Sequence, residues 1–132
     1  MKILISNTSN LAIYEQIVHQ IKDAVIAGEI TAGEMLPSIR SLAKDLQISV
    51  ITTKRAYEEL EKEGLIYSVA GKGFYIAEQN TNMLKEKKVQ ILEKELEKLA
   101  AEWRKAGLAK EDMIDYIRVL FEEWEDEKKS YN

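Results

Sequence analysis

Four side chains in the middle of the chain have the types and the spacing that binding to DNA requires. They are Ile51, Thr52, Lys54 and Arg55. All four lie within the first two turns of a predicted helix, away from its apolar face. Basic side chains bind phosphates and guanine edges, a threonine hydroxyl donates to a phosphate or a base, and isoleucine can contact a thymine methyl group. The pattern therefore predicts a helix that enters the DNA major groove.

Two short helices that meet at a tight corner are predicted between residues 36 and 64. Apolar-face residues recur at helical spacing in each of them, at Ile39, Leu42, Ala43 and Leu46 and again at Thr53, Ala56, Tyr57 and Leu60. Ser38 and Ser49 stand just before these helices, where a hydroxyl can accept a hydrogen bond from a backbone N–H that lacks a partner. We predict both serines as N-caps, and Ser49 also as a candidate phosphate contact.

The flanking segments complete a predicted winged helix-turn-helix. A helix is expected to begin at Ala12 and to end before Gly28, because apolar residues line one face of it. Residues 2–6 are expected to form a short β segment, and residues 29–37 a loop. After the two short helices, the β-rich runs 65–69 and 74–77 flank a glycine-containing turn, which predicts a hairpin. The predicted fold class is mainly α with a small β-hairpin wing.

The remainder, residues 79–132, is predicted to be a separate hairpin of two amphipathic helices, which follows a DNA-binding domain of residues 1–78. A polar link at residues 78–82 marks the boundary. The predicted dimerisation residues lie on the apolar stripes of the two helices, at Leu92, Leu96, Leu99, Trp103, Ile117, Leu120, Phe121 and Trp124. A pair of helices this small has little to pack against, so we expect these side chains to form a core shared between two chains.

Composition excludes several classes of function. The 132 residues contain no cysteine and one histidine, His19, so neither a multi-histidine metal site nor a catalytic triad can be built. We expect no enzymatic activity, no cofactor and no metal. No run approaches the roughly 20 apolar residues of a membrane span, and no signal peptide is evident, which favours a cytoplasmic protein. The net charge is −4, so affinity for DNA has to come from a local patch.

Four segments together resemble the DNA-binding domain of the GntR family of bacterial transcriptional regulators: IYEQIVHQIKDAVIAGEI, LPSIRSLAKDL, AYEELEKEGLI and GKGFYIA. The resemblance spans about residues 11–77. It implies DNA contacts at Arg40, where the family has a phosphate-binding arginine, and at Thr52 and Lys54. The short tail is similar to the YtrA-type subgroup, whose tail mainly dimerises. A tail of this size leaves little room for a ligand pocket of about 300 Å3, so we doubt a small-molecule effector there.

The chain departs from the family pattern at three places. Ala12 replaces a frequent proline, and Gln47 replaces the usual glycine between the two short helices. Val50 and Ile51 replace a polar pair, often Arg-Thr, whose arginine commonly contacts DNA. Two roles remain open for this apolar pair. Ile51 can pack on a thymine methyl, which favours an A·T pair at that position, or both residues can serve helix initiation and local packing.

The hairpin turn and Arg55 each have two interpretations. Gly71 and Gly73 let the backbone approach a minor groove, and Lys72 between them meets its negative potential. The alternative is a plain hairpin with one solvated lysine. Arg55 can reach the DNA backbone or pair with Glu58 or Glu59.

The sequence as a whole predicts a transcriptional regulator. We expect a repressor that binds a palindromic operator in double-stranded DNA as a homodimer. The alternative is a winged-helix module that binds proteins without sequence-specific DNA binding. The net negative charge and the apolar Val50–Ile51 pair favour the alternative slightly.

Overall fold

The computed structural model describes the backbone of residues 1–130 and the side chains of residues 1–127. The chain divides into two units, Met1–Lys85 and Glu86–Asn132. No helix in the described part combines the length and the apolar character needed to cross a bilayer. The elements in chain order are α1 (Ile13–Ile26), α2 (Ile39–Leu46), α3 (Val50–Lys62), β1 (Ile66–Val69), β2 (Gly73–Ile76), α4 (Thr81–Lys105) and α5 (Lys110–Ser130).

The first unit packs α1, α2, α3 and the β-hairpin around one hydrophobic core. The predicted inner faces of the three helices are buried or half-buried, as their spacing requires. Both predicted caps are confirmed: Ser38 Oγ accepts from the N–H of Ser41 at 3.1 Å, and Ser49 Oγ accepts from the N–H of Thr52 at 3.0 Å. Each cap satisfies a backbone donor that the helix itself leaves without a partner. The start of α2 and the start of α3 are therefore fixed locally.

A third segment extends the two-stranded sheet of the β-hairpin. Strands β1 and β2 pair antiparallel, with Ile66 opposite Ile76. The segment before α2, predicted as a loop, forms backbone hydrogen bonds with β2. The N–H of Leu36 donates to the Phe74 carbonyl at 2.9 Å, and the N–H of Ile76 donates to the Glu34 carbonyl at the same distance. The hairpin is thereby tied to the residues that lead into α2.

The predicted β segment at residues 2–6 is wrong, because glutamine side chains take the place of a neighbouring strand. The side-chain amide of Gln20 accepts from the N–H of Leu4 at 2.9 Å and donates to its carbonyl at 2.7 Å. Gln16 does the same for Ser6, at 2.8 and 3.0 Å. These residues lie one turn apart on α1, so they match alternate residues of an extended chain. The N-terminal segment is thus held against α1, with Ile3 in the core.

The second unit contains most of α4 and, after a turn at residues 106–109, α5. Gly107 adopts a φ of 75° in the turn, where the sequence predicts the end of the helix. The indole N–H of Trp103 donates to the Ala109 carbonyl at 2.8 Å and fastens the turn. None of the side chains described in this unit is buried. Its apolar stripes are therefore uncovered within a single chain.

The corner between α2 and α3 carries local backbone strain. Gln47 has φ 56° and ψ 47°, and it is the one non-glycine residue with positive φ in the described part of the chain. In this left-handed region a side chain's Cβ crowds the following carbonyl oxygen, which costs about 1 kcal/mol or more. The resemblance places a glycine at this position, and the observed geometry explains why glycine suits it.

We expect Gln47→Gly to raise the free energy of unfolding by about 1 kcal/mol, because glycine adopts this conformation without the Cβ clash. Urea denaturation measures the change. Gln47→Ala is the matched control: it removes the exposed side chain but keeps Cβ, so it should bring no gain. An equal gain from alanine would show that the glutamine side chain, rather than the backbone conformation, is unfavourable.

Candidate nucleic-acid interface

The outer face of α3 carries the predicted DNA-contacting residues. Val50, Ile51, Lys54 and Arg55 are exposed, and Thr52 is half-buried. Ile51 is 80% exposed, the highest value among the large apolar side chains that the structure describes. The opposite face is fixed in the core, so the helix cannot rotate about its axis without exposing apolar surface. The N-terminal half of α3 therefore presents a defined surface to solvent.

Ser49 and Thr52 form a closed pair at the beginning of α3. The Ser49 hydroxyl accepts from the backbone N–H of Thr52 and donates its own proton to Thr52 Oγ1 at 2.8 Å. The Ser49 proton is thus committed within the protein, whereas the Thr52 hydroxyl proton points to no protein acceptor that the structure describes. Of the two hydroxyls, Thr52 is the better donor to a phosphate or a base. A phosphate contact by Ser49 stays a prediction.

Positive charge collects at the beginnings of α2 and α3. Neither helix has an acidic residue in its first turn, and Arg40 lies in the first turn of α2. Because the N-terminal end of a helix already carries partial positive charge, an arginine there destabilises the helix slightly and favours a bound anion. Arg40 is exposed and has no ion-pair partner within the described residues. This placement suits the phosphate contact predicted for Arg40.

Lys54 and Arg55 are held in different ways. Lys54 Nζ lies 3.8 Å from a carboxylate oxygen of Glu58, and both side chains are largely exposed, so this pair is weak and easily exchanged for DNA. The Arg55 guanidinium lies over the ring of Tyr14, 3.9 Å from its centroid. Such a cation–π contact contributes roughly 0.5–1 kcal/mol at an exposed site and limits where the guanidinium can point. The ion pair with Glu58 that was considered for Arg55 is formed by Lys54 instead.

Tyr14 is a contributor to this surface that sequence reasoning missed. Its spacing assigns it to the buried stripe of α1, yet it is only half-buried and supports Arg55. The signal available in the sequence was its place at the N-terminal end of the stripe, where a tyrosine can pack one side of its ring and offer the other. Helical periodicity does not indicate which residue of another helix lies opposite.

The wing tip has the backbone conformation that its glycines predict. Gly71 has φ 75° and Gly73 has φ 129°, both in the region that glycine alone adopts readily. The N–H of Lys72 donates to the Val69 carbonyl at 3.0 Å and closes the turn, while the lysine side chain is exposed. Behind the tip, Tyr67 and Tyr75 stack with ring centroids 5.7 Å apart. The lysine is thus displayed on a short, ordered hairpin.

Negative charge on α3 is confined to its C-terminal half. Glu58, Glu59 and Glu61 follow the two basic residues, and Glu63 pairs with Lys22 of α1 at 2.9 Å. Along one helix the charge therefore changes from positive near the N-terminus to negative near the C-terminus. This polarity provides the local patch that a protein of net charge −4 needs in order to approach DNA.

Three features define a winged helix-turn-helix DNA-binding domain. They are α3 as a capped recognition helix, the corner that it forms with α2, and the β-hairpin with its basic tip. Comparison with known proteins gives the same assignment. Residues 13–76 match the signature of the bacterial regulatory proteins of the gntR family. The chain is also 35% identical over 118 residues to the HTH-type transcriptional repressor YtrA of Bacillus subtilis (strain 168), a match that covers 89% of this chain and 91% of YtrA. The chain belongs to the GntR family of transcriptional regulators.

Solved structures agree with this assignment. A GntR family transcriptional regulator from Listeria monocytogenes superposes with a TM-score of 0.67 at 33% identity, covering 86% of this chain and 97% of that one. The DNA-binding domain of AraR in complex with operator ORX1 superposes with a TM-score of 0.52 at 26% identity, covering 58% and 96%. The predicted family and fold class are confirmed, and the family consists of regulators rather than enzymes. The individual DNA-binding residues stay predictions.

We expect Arg40→Ala and Lys54→Ala each to weaken DNA binding and to reduce the dependence of log Kd on log salt by about one unit, because each change removes one phosphate or base-edge cation. Fluorescence anisotropy across a salt series measures both effects. Lys62→Ala is the matched control, since it removes the same charge from the C-terminal end of α3. If all three variants behave alike, net charge rather than this surface governs binding.

Proposed function

We propose that this protein is a repressor that binds a palindromic operator as a homodimer and works in the cytoplasm. The observation that carries the proposal is the pairing of a winged-helix domain with a helix pair whose apolar stripes are uncovered. YtrA, a relative that matches along most of both chains, is itself a transcriptional repressor. AraR supports operator binding by this class of domain.

The predicted dimerisation residues support self-association through their exposure. Leu92, Leu96 and Leu99 on α4 are each about half exposed, at 49, 52 and 57%. On α5, Ile117, Phe121 and Trp124 are exposed too, and the last two rings meet edge to face at 5.2 Å. Apolar stripes of this extent are rare on monomers. A second copy supplies an identical set of stripes, so a symmetric dimer covers both.

Trp103 and Leu120 are half-buried and differ from the other predicted dimerisation residues. The indole N–H of Trp103 is already bonded to the Ala109 carbonyl, so its ring edge helps to hold the turn. Its remaining surface is available to a partner. The tryptophan thus serves the turn within one chain and, in the proposed dimer, the shared core.

Two-fold symmetry determines the form of the DNA site. Two recognition helices related by a two-fold axis fit successive major grooves, whose centres lie about 34–36 Å apart. The operator then repeats one half-site in inverted orientation. Selection of bound duplexes from a random pool tests this, and we expect it to recover an inverted repeat. A folded dimer that enriches no sequence would favour the protein-interaction alternative.

Salt dependence separates the two candidate functions further. Binding to DNA releases counterions, so its affinity should fall steeply as salt rises from about 50 to 200 mM. A winged-helix module that docks on a protein through the Val50–Ile51 pair should respond weakly, because apolar contacts involve little counterion release. Isothermal titration at several salt concentrations distinguishes these outcomes.

We expect Leu96→Glu and Leu120→Glu to give folded monomers with poor operator binding, because a charge placed in the shared core loses its hydration and one half-site offers few contacts. Light scattering after size exclusion gives the mass, and circular dichroism monitors the fold. Gln90→Glu is the matched control: it adds the same charge to α4 on the side opposite the apolar stripe and should remain dimeric. Dimers that survive both leucine changes would place the interface elsewhere.

A further inference from the structure

Two apolar β-branched side chains open the recognition helix and project into solvent. Val50 is 47% exposed and Ile51 is 80% exposed. Neither belongs to the core, whereas Ile48, just before the cap, packs against it. Local packing therefore does not account for Ile51. Its branched side chain is also a poorer helix former than most alternatives at an exposed position, so helix initiation does not account for it either.

Several polar groups around this pair already have a partner within the protein, while the Thr52 hydroxyl proton remains available. Ser49 is bonded to Thr52, and Lys54 lies beside Glu58. Arg55 lies over the ring of Tyr14. In the first turn of α3, the side chain with the largest exposed fraction is thus a hydrocarbon, that of Ile51. In the major groove, the hydrocarbon group that a base pair displays is the C5-methyl of thymine.

We propose that Ile51, flanked by Val50, is a specificity-determining residue that contacts the C5-methyl of a thymine in each operator half-site. The inference rests on the proposed operator binding and deepens it by naming the group that is recognised. A methyl contact discriminates by exclusion of water, so it adds preference without adding charge. It requires an A·T pair, in the orientation that presents the methyl, at the position facing Ile51.

Deoxyuridine substitution tests this contact at the level of one methyl group. Thymines of the selected inverted repeat are replaced in turn, symmetrically in both half-sites, by deoxyuridine, which keeps base pairing and removes only the methyl. At one position we expect the wild-type affinity to fall about fourfold per methyl, the factor that corresponds to burial of one methylene-sized group. The other thymines should show little change.

The protein side of the test is Ile51→Ala, which shortens an exposed side chain and introduces a better helix former. This variant should bind the thymine and deoxyuridine operators equally well, at the lower affinity. Leu4→Ala is the matched control, since Leu4 is 67% exposed but lies in the N-terminal segment. It should keep the full preference for thymine.

The remaining outcomes are distinct. Wild-type protein that binds the operator but ignores every deoxyuridine would overturn the methyl contact and leave operator binding intact. A preference that persists in Ile51→Ala would assign the methyl contact to another side chain and also overturn the inference. Failure of the selection to enrich any sequence would overturn the proposed function itself.

Discussion

The geometry of the DNA-binding unit depends on Tyr57, which is fully buried at the middle of α3. Its ring meets that of Phe74 edge to face at 5.1 Å, and its hydroxyl donates to the Pro37 carbonyl at 2.7 Å. Burial raises the pKa of the Tyr57 phenol because the phenolate would lose its hydration, so the group remains a neutral donor. One side chain thereby joins the recognition helix to the wing and to the segment that leads into α2.

Core packing on both sides of the corner before α3 explains its strained backbone. Leu46 and Ile48 flank Gln47, and both pack against the core. The chain has to turn sharply between two packed side chains within three residues, and the left-handed conformation at Gln47 achieves this. The N–H of Ile48 then donates to the Ala43 carbonyl at 3.0 Å, which caps α2. Core packing imposes the conformation, and the local sequence accommodates it at some loss of stability.

Features determined by neighbouring residues were predictable, and features that join distant residues were not. The helix faces follow from apolar spacing, and the serine caps from position alone, so both were anticipated. Three contacts connect residues from different elements. They are the hydrogen bonds of Gln16 to Ser6, the pairing of Leu36 with β2, and the stacking of Arg55 on Tyr14. Side-chain pattern within one element carries no information about such pairs. The order of elements followed from the pattern of each segment, and the family resemblance agreed with it, but neither indicated these contacts.

An acidic protein that binds DNA must gain its affinity over short distances. Charges separated by more than about 8 Å of physiological salt solution hardly interact, so the glutamates at the far end of α3 oppose binding less than net charge suggests. They still disfavour loose association of the protein with arbitrary DNA. In the proposed complex, Arg40 positions the unit on a phosphate and Lys72 meets the negative potential of the minor groove, and neither contact distinguishes sequences by base edges. If the proposed methyl contact is made, discrimination falls to the first turn of α3, where the exposed Ile51 makes recognition depend on close fit rather than on charge.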